Sequence, residues 1–385
     1  MNDMTLSQSI DRLSADLLAR SEEIEEARRL PADVAESLAQ AGLFNMLKPA
    51  ALGGHEMPPR HVSSLLAQLA EANASAAWCV MIGTTSTLAS AYMDDQVAAD
   101  VYGDPADIHG GVFAPMGKAQ DNGDHYIVNG QWQWGSGSAN CAWLSGGAMI
   151  FKDGELQRTE QGAPIHRMLF FPASEVEFID TWHVSGLKGT GSGDFKVTNL
   201  RVPKERSVSF VLDSPRNRAP LYKFPLFGLL SLGVASVALG NAKGALTDIV
   251  DLLKAKRTTG GGRSQSQRAT VQTDIAKAKA MLSAAEALME KAVESAWQEA
   301  RSDDAISIRA RGELRLACAH MAETAAEVCK VAYTLAGGSS VYLNNTLQRR
   351  FRDAHVVTQH IVVSPATFEL AGRVLLDEPI DTAML

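Results

Sequence analysis

The spacing of apolar residues changes twice along this chain, and that double change constrains the fold more than any other feature. Up to residue 108 the apolar positions recur at helical intervals. Ile10, Leu13, Leu17 and Leu18 fall at such spacing. A second helix opens at Pro31 and runs through Val34, Leu38 and Ala41 to a stop at Gly42. A third, beyond the Gly53-Gly54 turn, carries Val62, Leu65, Leu66 and Leu69. The small residues from Ala74 to Thr85 suit close packing against another backbone or a flat ligand. At His109 the period drops to two. Tyr126 and Val128 alternate, Asn129-Gly130 is expected to form a tight hairpin turn, and Trp132 and Trp134 alternate after it. Further strand patterns lie at Met168 to Phe171, Val176 to Phe178 and Phe195 to Val202. A polar, proline-bearing connection over 213–225 returns the chain to helical spacing, with one apolar stripe from Ile275 to Val293 and another from Leu314 to Val328. The expected organisation is an N-terminal helical domain over 1–108, a middle β domain over 109–212 and a C-terminal helical bundle over 213–385, a mainly α protein with a central β domain.

A chain of 385 residues exceeds one ordinary core, so two or three packed subdomains are expected. Its net charge of −8 disfavours general binding to nucleic acid, whose phosphates require a basic surface. Cys79, Cys141, Cys318 and Cys329 form no CxxC pair and read as buried thiols in a reducing compartment. The N-terminus carries Asp3, Asp11 and Asp16 without an apolar signal core, and no window approaches the ~20 uninterrupted apolar residues of a membrane span. A cytoplasmic, membrane-free protein is expected. Several chemistries lack their motifs. There is no GxxxxGK phosphate loop, no GxSxG nucleophile elbow, and no cluster of ligands at metal-binding spacing. The glycines between Gly186 and Gly193 do not open a helix after a strand, as a Rossmann site requires.

Six segments remain, in a fixed order. They are Leu30-Pro31 with Ala41-Gly42-Leu43 and Gly53-Gly54; Phe113-Ala114-Pro115-Met116-Gly117-Lys118-Ala119; Asn129 to Ser138 with its Trp134-Gly135-Ser136-Gly137 core; Gly186 to Phe195 followed by Val202-Pro203; Lys256-Arg257; and Ala336-Gly337-Gly338 followed by Arg349 to His355. This order resembles the acyl-CoA dehydrogenase superfamily over essentially the whole chain. The Trp-Gly-Ser-Gly, Gly-Thr-Gly-Ser-Gly-Asp-Phe and Arg-Asp-Ala-His segments are more similar to the two-component flavin monooxygenases within it. The resemblance implies an N-terminal helical domain, a middle β-barrel or sandwich domain and a C-terminal four-helix bundle. It also implies a homotetramer, with a flavin held between the β domain and the bundle.

A flavin ring needs a flat apolar slot with a few donors and acceptors at its heteroatom edge. Trp132 and Trp134 are expected on one side of a strand, with Gly135 giving close access. The resemblance puts the Ser136 hydroxyl beside flavin N5, and Phe113, Ala114 and Met116 along the pyrimidine edge. Thr190, Ser192 and their glycines would let backbone N–H groups approach a phosphate. Arg257 would bond flavin phosphate with its guanidinium fork, and Gly337 and Gly338 complete the cofactor-binding set. The Phe-Gly that usually follows this arginine in the family is replaced here by Gly260-Gly261-Gly262, which leaves the flavin open between FAD and FMN. Structural readings stand beside each role: hairpin residues for Ser136 and Ser138, a strand start for Phe113 to Met116, a turn series for Thr190 and Ser192, a solvated helix end for Arg257.

The stretch after Arg352 separates the branches. Dehydrogenases of this superfamily commonly carry a glutamate here that removes the α-proton of an acyl thioester. No carboxylate lies between Asp353 and Glu369, and the helix before Arg257 offers only Asp248 and Asp251. His360 falls where the monooxygenases have a histidine facing flavin and substrate, where an imidazole can deprotonate a phenol or steady a peroxide. His109 is a second candidate, for gripping a polar group of the substrate. Either histidine also suits a purely structural role, as does His355 through pairing near Asp353. Trp78, Trp182 and Tyr342 are possible slot aromatics, with core packing the plainer reading of each. The function expected is a flavin-dependent monooxygenase that uses reduced flavin and O2, through a C4a-hydroperoxide, to hydroxylate a small phenol- or indole-type substrate. No nicotinamide site is evident, so a separate NAD(P)H flavin reductase would supply the electrons. The alternatives are an FAD-dependent acyl-CoA dehydrogenase or oxidase, and a non-catalytic flavin-binding protein.

Overall fold

The computed structural model describes residues 3–255, 264–302, 305–382 and 385. Six helices come first: α1 (Asp3–Ala19), α2 (Ser21–Ala27), α3 (Ala32–Gln40), α4 (Pro59–Ala72), α5 (Ala74–Ser86) and α6 (Asp95–Tyr102). Their ends follow local chemistry. The Asn73 side chain accepts the Ala76 N–H at 3.0 Å and opens α5. Gly42, at φ 79°, turns the chain after α3 in a conformation that a side chain would strain. The small residues of α5 allow a close approach, since a Cβ on Gly83 would strike the Phe44 ring.

Eight strands follow: β1 (His109–Asp121), β2 (His125–Trp132), β3 (Trp143–Lys152), β4 (Glu155–Leu156), β5 (His166–Pro172), β6 (Glu177–Ile179), β7 (Asp194–Pro203) and β8 (Ser207–Val208). They form one sheet in the order β6-β7-β2-β1-β3-β5-β8, with β4 also paired to β3. β1 and β3 run parallel, and their other partners run antiparallel. The sheet core centres on Trp132, which stacks on Phe195 at 5.2 Å and meets Phe171 at 5.9 Å. Its indole N–H, fully buried, donates to the Gly147 carbonyl at 2.8 Å. Gly117 and Gly130 make room for this ring, because a Cβ on either would lie 2.6 Å from it.

The structure corrects two expectations for this region. Asn129-Gly130 is not a hairpin turn. β2 runs through it, and the register against β7 shifts between Val128 and Gly130. The Asn129 side chain bonds across the irregularity, accepting the Asn199 N–H at 2.8 Å. The turn between β1 and β2 lies earlier, at Gly123 (φ 90°). Nor do Trp132 and Trp134 share a face. The strand ends at Trp132, and Trp134 turns into the left-handed region at φ 65°. Trp132 is 0% exposed and Trp134 62% exposed.

The C-terminal helices are α7 (Pro220–Lys223), α8 (Leu226–Ala255), α9 (Ala269–Ala300), α10 (Ile308–Ala336), α11 (Thr346–Val357) and α12 (Pro365–Leu375). α8 packs against α4 and α5 on one side and α10 and α11 on the other, so one apolar core joins the two helical parts. This explains why α8 lacks a polar face. A Cβ on Gly240 would collide with the Ala67 carbonyl oxygen, so α8 and α4 cross at backbone contact. By length and composition α8 is apolar enough to cross a membrane, but 83% of its apolar window is buried inside the protein.

Candidate active site

Four segments meet at one end of the sheet. The antiparallel pairing of β1 with β2 sets the first residues of β1 beside the exit of β2. The loop leading into β7 joins them, and α5 packs beneath. In β1 the ladder to β3 skips. Val112 faces Gly146, and the next pair is Gly117 with Ala148. Residues 113–116 therefore stand against Gly147 alone, outside regular pairing. Gly147 must be small, since a Cβ there would run into the carbonyl oxygens of Phe113 and Ala114. The Phe113 ring packs inward on Phe227 at 5.5 Å and Phe210 at 6.1 Å, Ala114 is half-buried, and Met116 is exposed.

The exit of β2 is tied to the loop before β7. The Gly135 N–H donates to the Gly193 carbonyl at 2.9 Å, and the Gly137 N–H donates to the Thr190 carbonyl at 2.7 Å. These bonds bring three buried hydroxyls together. Ser136 Oγ lies 2.6 Å from Ser192 Oγ, which lies 2.6 Å from Thr190 Oγ1. Thr190 donates to the Leu187 carbonyl at 2.8 Å. At the other end, the Trp78 indole N–H from α5 donates to Ser136 Oγ at 3.0 Å. The hydroxyls of Thr190 and Ser192 thus point inward to Ser136.

His360 completes this cluster. Its ring meets Trp78 edge-on at 5.6 Å, directly after α11. Its Nδ1 accepts the Val362 N–H at 3.4 Å, which leaves Nε2 to carry the ring proton. Burial, and secondarily the Arg315 guanidinium, push the imidazole down to about 4, so it is neutral at pH 7. Arg315 is 2% exposed and has no carboxylate partner among its hydrogen bonds. It reaches the Phe227 carbonyl at 3.3 Å and Thr367 at 3.4 Å, and its Nε is unbonded.

His109 lies apart from the hydroxyl chain in its bonding. It stacks on Tyr102 at 4.3 Å and bonds the Val101 carbonyl through Nε2 at 2.7 Å. Burial pushes it down to about 4. It does share a water-sized cavity with Ser136, Cys79 and Cys141. Burial raises both of these thiols far above the ordinary range, so neither is a nucleophile. Gly337, at φ 58°, and Gly338 are exposed at the end of α10. Arg257 lies outside the described residues.

Other residues fall differently from expectation. His355 does not pair near Asp353; it is exposed and bonds its own helix at the Phe351 carbonyl, 2.7 Å away. Tyr342 is neither core nor slot wall within this chain, being 69% exposed. Trp182 is half-buried and donates to the Leu187 carbonyl at 3.1 Å. Asp353 has a role the sequence reading missed. Its buried carboxylate accepts the Leu187 N–H at 2.6 Å, tying α11 to the Thr190 loop, and burial pushes it up to about 6. The two rival carboxylates are not available. Asp248 is held by Arg350 at 2.6 Å, and Asp251 is exposed near Lys254 at 3.9 Å. Among the described residues, no carboxylate bonds Trp78, Ser136, Thr190, Ser192 or His360. No group of three or more His, Cys, Asp or Glu side chains that could hold a metal occurs among them either.

The comparisons with known proteins agree with this architecture. Residues 4–96 match the family described as acyl-CoA dehydrogenase, N-terminal domain, and residues 232–365 match the acyl-CoA dehydrogenase C-terminal domain. The chain is 30% identical over 345 residues to indole-3-acetate monooxygenase of Acinetobacter baumannii, covering 89% of this chain and 86% of that protein. It is 29% identical over 368 residues to the FADH(2)-dependent resorcinol hydroxylase, oxygenase component, of a Rhizobium species, covering 90% and 88%. The crystal structure of the HsaA monooxygenase from Mycobacterium tuberculosis superposes with a TM-score of 0.91 at 25% identity, over 100% of both chains. The chain belongs to the acyl-CoA dehydrogenase superfamily, within its branch of two-component flavin-dependent monooxygenase oxygenase components.

Proposed function

We propose that this protein hydroxylates a small phenol- or indole-type substrate, with reduced FAD or FMN as the electron source and O2 as the oxidant. One observation carries the reading. A buried hydroxyl, an exposed indole and a strand segment outside its ladder meet at one sheet end, beside a neutral histidine and, among the described residues, with no carboxylate bonded there. The cradle fits a flat ring: the 113–116 backbone is held out over Gly147, and the exposed Trp134 indole offers a flat face. The space that Gly135 leaves is taken by the Phe195 ring, 2.8 Å from where a Cβ would stand, and gives no access to a ligand. Phe113, Ala114, Met116, Trp134 and Ser136 would hold the ring. Arg257, Gly337 and Gly338 would hold the remainder of the cofactor. Bound there, reduced flavin would supply the two electrons with which O2 places one oxygen atom in the substrate C–H bond and yields the other as water.

The chain's own residues supply orientation and exclusion of water. His360, neutral with its proton on Nε2, offers a hydrogen bond to a substrate oxygen or nitrogen. A group titrating near 4 is a weak base at pH 7, so it serves better as donor than as proton acceptor. A separate NAD(P)H flavin reductase would regenerate the cofactor. We also propose a cytoplasmic homotetramer; the exposed Val341, Tyr342 and Leu343 beyond α10 suit contact between copies. Turnover with a flavin reductase, NADH, isotopically labelled O2 and a panel of phenols and indoles tests the reading. One labelled oxygen per product molecule supports it. Anaerobic bleaching of bound flavin by an acyl-CoA, with no hydroxylated product, contradicts it.

A further inference from the structure

The hydroxyl chain takes its direction from its Leu187 end. The Leu187 carbonyl can only accept, and it also receives the Trp182 indole N–H and the Thr190 backbone N–H, each at 3.1 Å. The Thr190 hydroxyl approaches it most closely, at 2.8 Å, and its single proton is assigned there. Thr190 can then only accept from Ser192, which commits the Ser192 proton. Ser192 in turn can only accept from Ser136, which commits the Ser136 proton. The Trp78 indole can only donate, so it occupies one lone pair of Ser136. All four groups are buried, and the water-sized cavity that Ser136 lines is not lined by Trp78, Thr190 or Ser192. Ser136 therefore has one lone pair to offer and no proton.

We infer that Thr190, Ser192 and Trp78 make Ser136 an obligate hydrogen-bond acceptor, so that the site selects reduced over oxidised flavin. The inference rests on the reading that the ring sits against Ser136. Flavin N5 carries a proton in the reduced state and a lone pair in the oxidised state. Reduced flavin satisfies Ser136, whereas oxidised flavin sets one lone pair against another. Leaving a buried acceptor unmatched is unfavourable enough to change affinity by roughly tenfold or more. An oxygenase that must capture reduced flavin and release the oxidised product gains directly from that bias. Thr190 and Ser192 are positioning residues here: they act through Ser136.

The test is anaerobic titration of the full-length protein with FAD and with FMN, each oxidised and dithionite-reduced. The ratio of oxidised to reduced dissociation constants is the readout, and it requires no turnover. The wild type should favour the reduced form by roughly tenfold or more. In Ser192→Ala the Ser136 proton is freed to meet the N5 lone pair. Oxidised flavin should then bind tighter, and the ratio should fall by about tenfold, which is about 30 mV lower in midpoint potential for a two-electron couple. Thr190→Val, nearly isosteric, should lower the ratio in the same direction and replaces the first variant if that one misfolds. An unchanged ratio in both, with Ser136→Ala weakening reduced flavin, overturns the directional chain while the site reading stands. Unchanged affinity for both redox states in Ser136→Ala overturns the site reading itself.

Discussion

Replacing His109 by Gln separates a structural histidine from a titrating one. The His109 ring is stacked on Tyr102, bonded to Val101 and held neutral down to about pH 4 by burial. In the unfolded chain the same group takes up its proton near the ordinary value of about 6.5. Between these two values the unfolded state binds more protons, so stability falls as pH falls. The contribution is fully present above about pH 7 and lost on the way down to pH 4. Linkage gives a loss of about 2 kcal/mol between pH 7 and pH 5 and about 3 kcal/mol over the whole window. Gln can still donate to the Val101 carbonyl but does not titrate. His109→Gln should therefore be somewhat less stable at pH 7 and lose about 2 kcal/mol less than the wild type on acidification to pH 5. Urea unfolding followed by circular dichroism at fixed protein concentration measures both slopes. Equal slopes in the two proteins would refute the assignment of His109 as a locked, neutral group. So would an imidazole resonance titrating near pH 6.5.

Three further outcomes are expected. His360→Ala should leave reduced-flavin affinity within a few-fold and lower product formation by roughly a hundredfold or more; undiminished turnover would remove His360 from the chemistry. Trp132→Ala empties the centre of the sheet core and should lower stability by roughly 3–5 kcal/mol, read by urea unfolding, and a loss under about 1 kcal/mol would show that the sheet does not depend on this ring. Gly147→Ala should drive a methyl into the Phe113 and Ala114 carbonyls and weaken flavin binding by about tenfold or more; normal flavin affinity in a folded variant would mean that residues 113–116 do not border the ring.

Helical and strand periods were legible because burial imposes them residue by residue. The expected helix from Pro31 to a stop at Gly42 corresponds to α3, and the Val62-Leu65-Leu66-Leu69 stripe is the buried face of α4. What the sequence hid was tertiary. Asn129-Gly130 carries the local chemistry of a turn, yet the Trp132 indole needs the space that Gly130 leaves, and β7 pairs through the bulge. Trp132 and Trp134 are two apart and look equivalent, but the strand ends between them. At the site, Ser136, Thr190, Ser192 and His360 were singled out by motif order, whereas their connection through Trp78 was not, because it joins residues 58 positions apart. Arg315 did leave a trace, as a charge set beside Leu314, Ala317 and Cys318 in an apolar stripe. Asp353 sits in the Arg-Asp segment, but only the folded chain reveals the Leu187 N–H that it accepts.

The position of the redox ring decides the chemistry, and a structure of the protein with reduced flavin bound under nitrogen tests it most directly. The expected result is N5 within hydrogen-bond reach of Ser136 Oγ, the ring edge along residues 113–116, and no carboxylate at its reactive face. A ring seated away from Ser136, or an Asp or Glu side chain poised against that face, would contradict it.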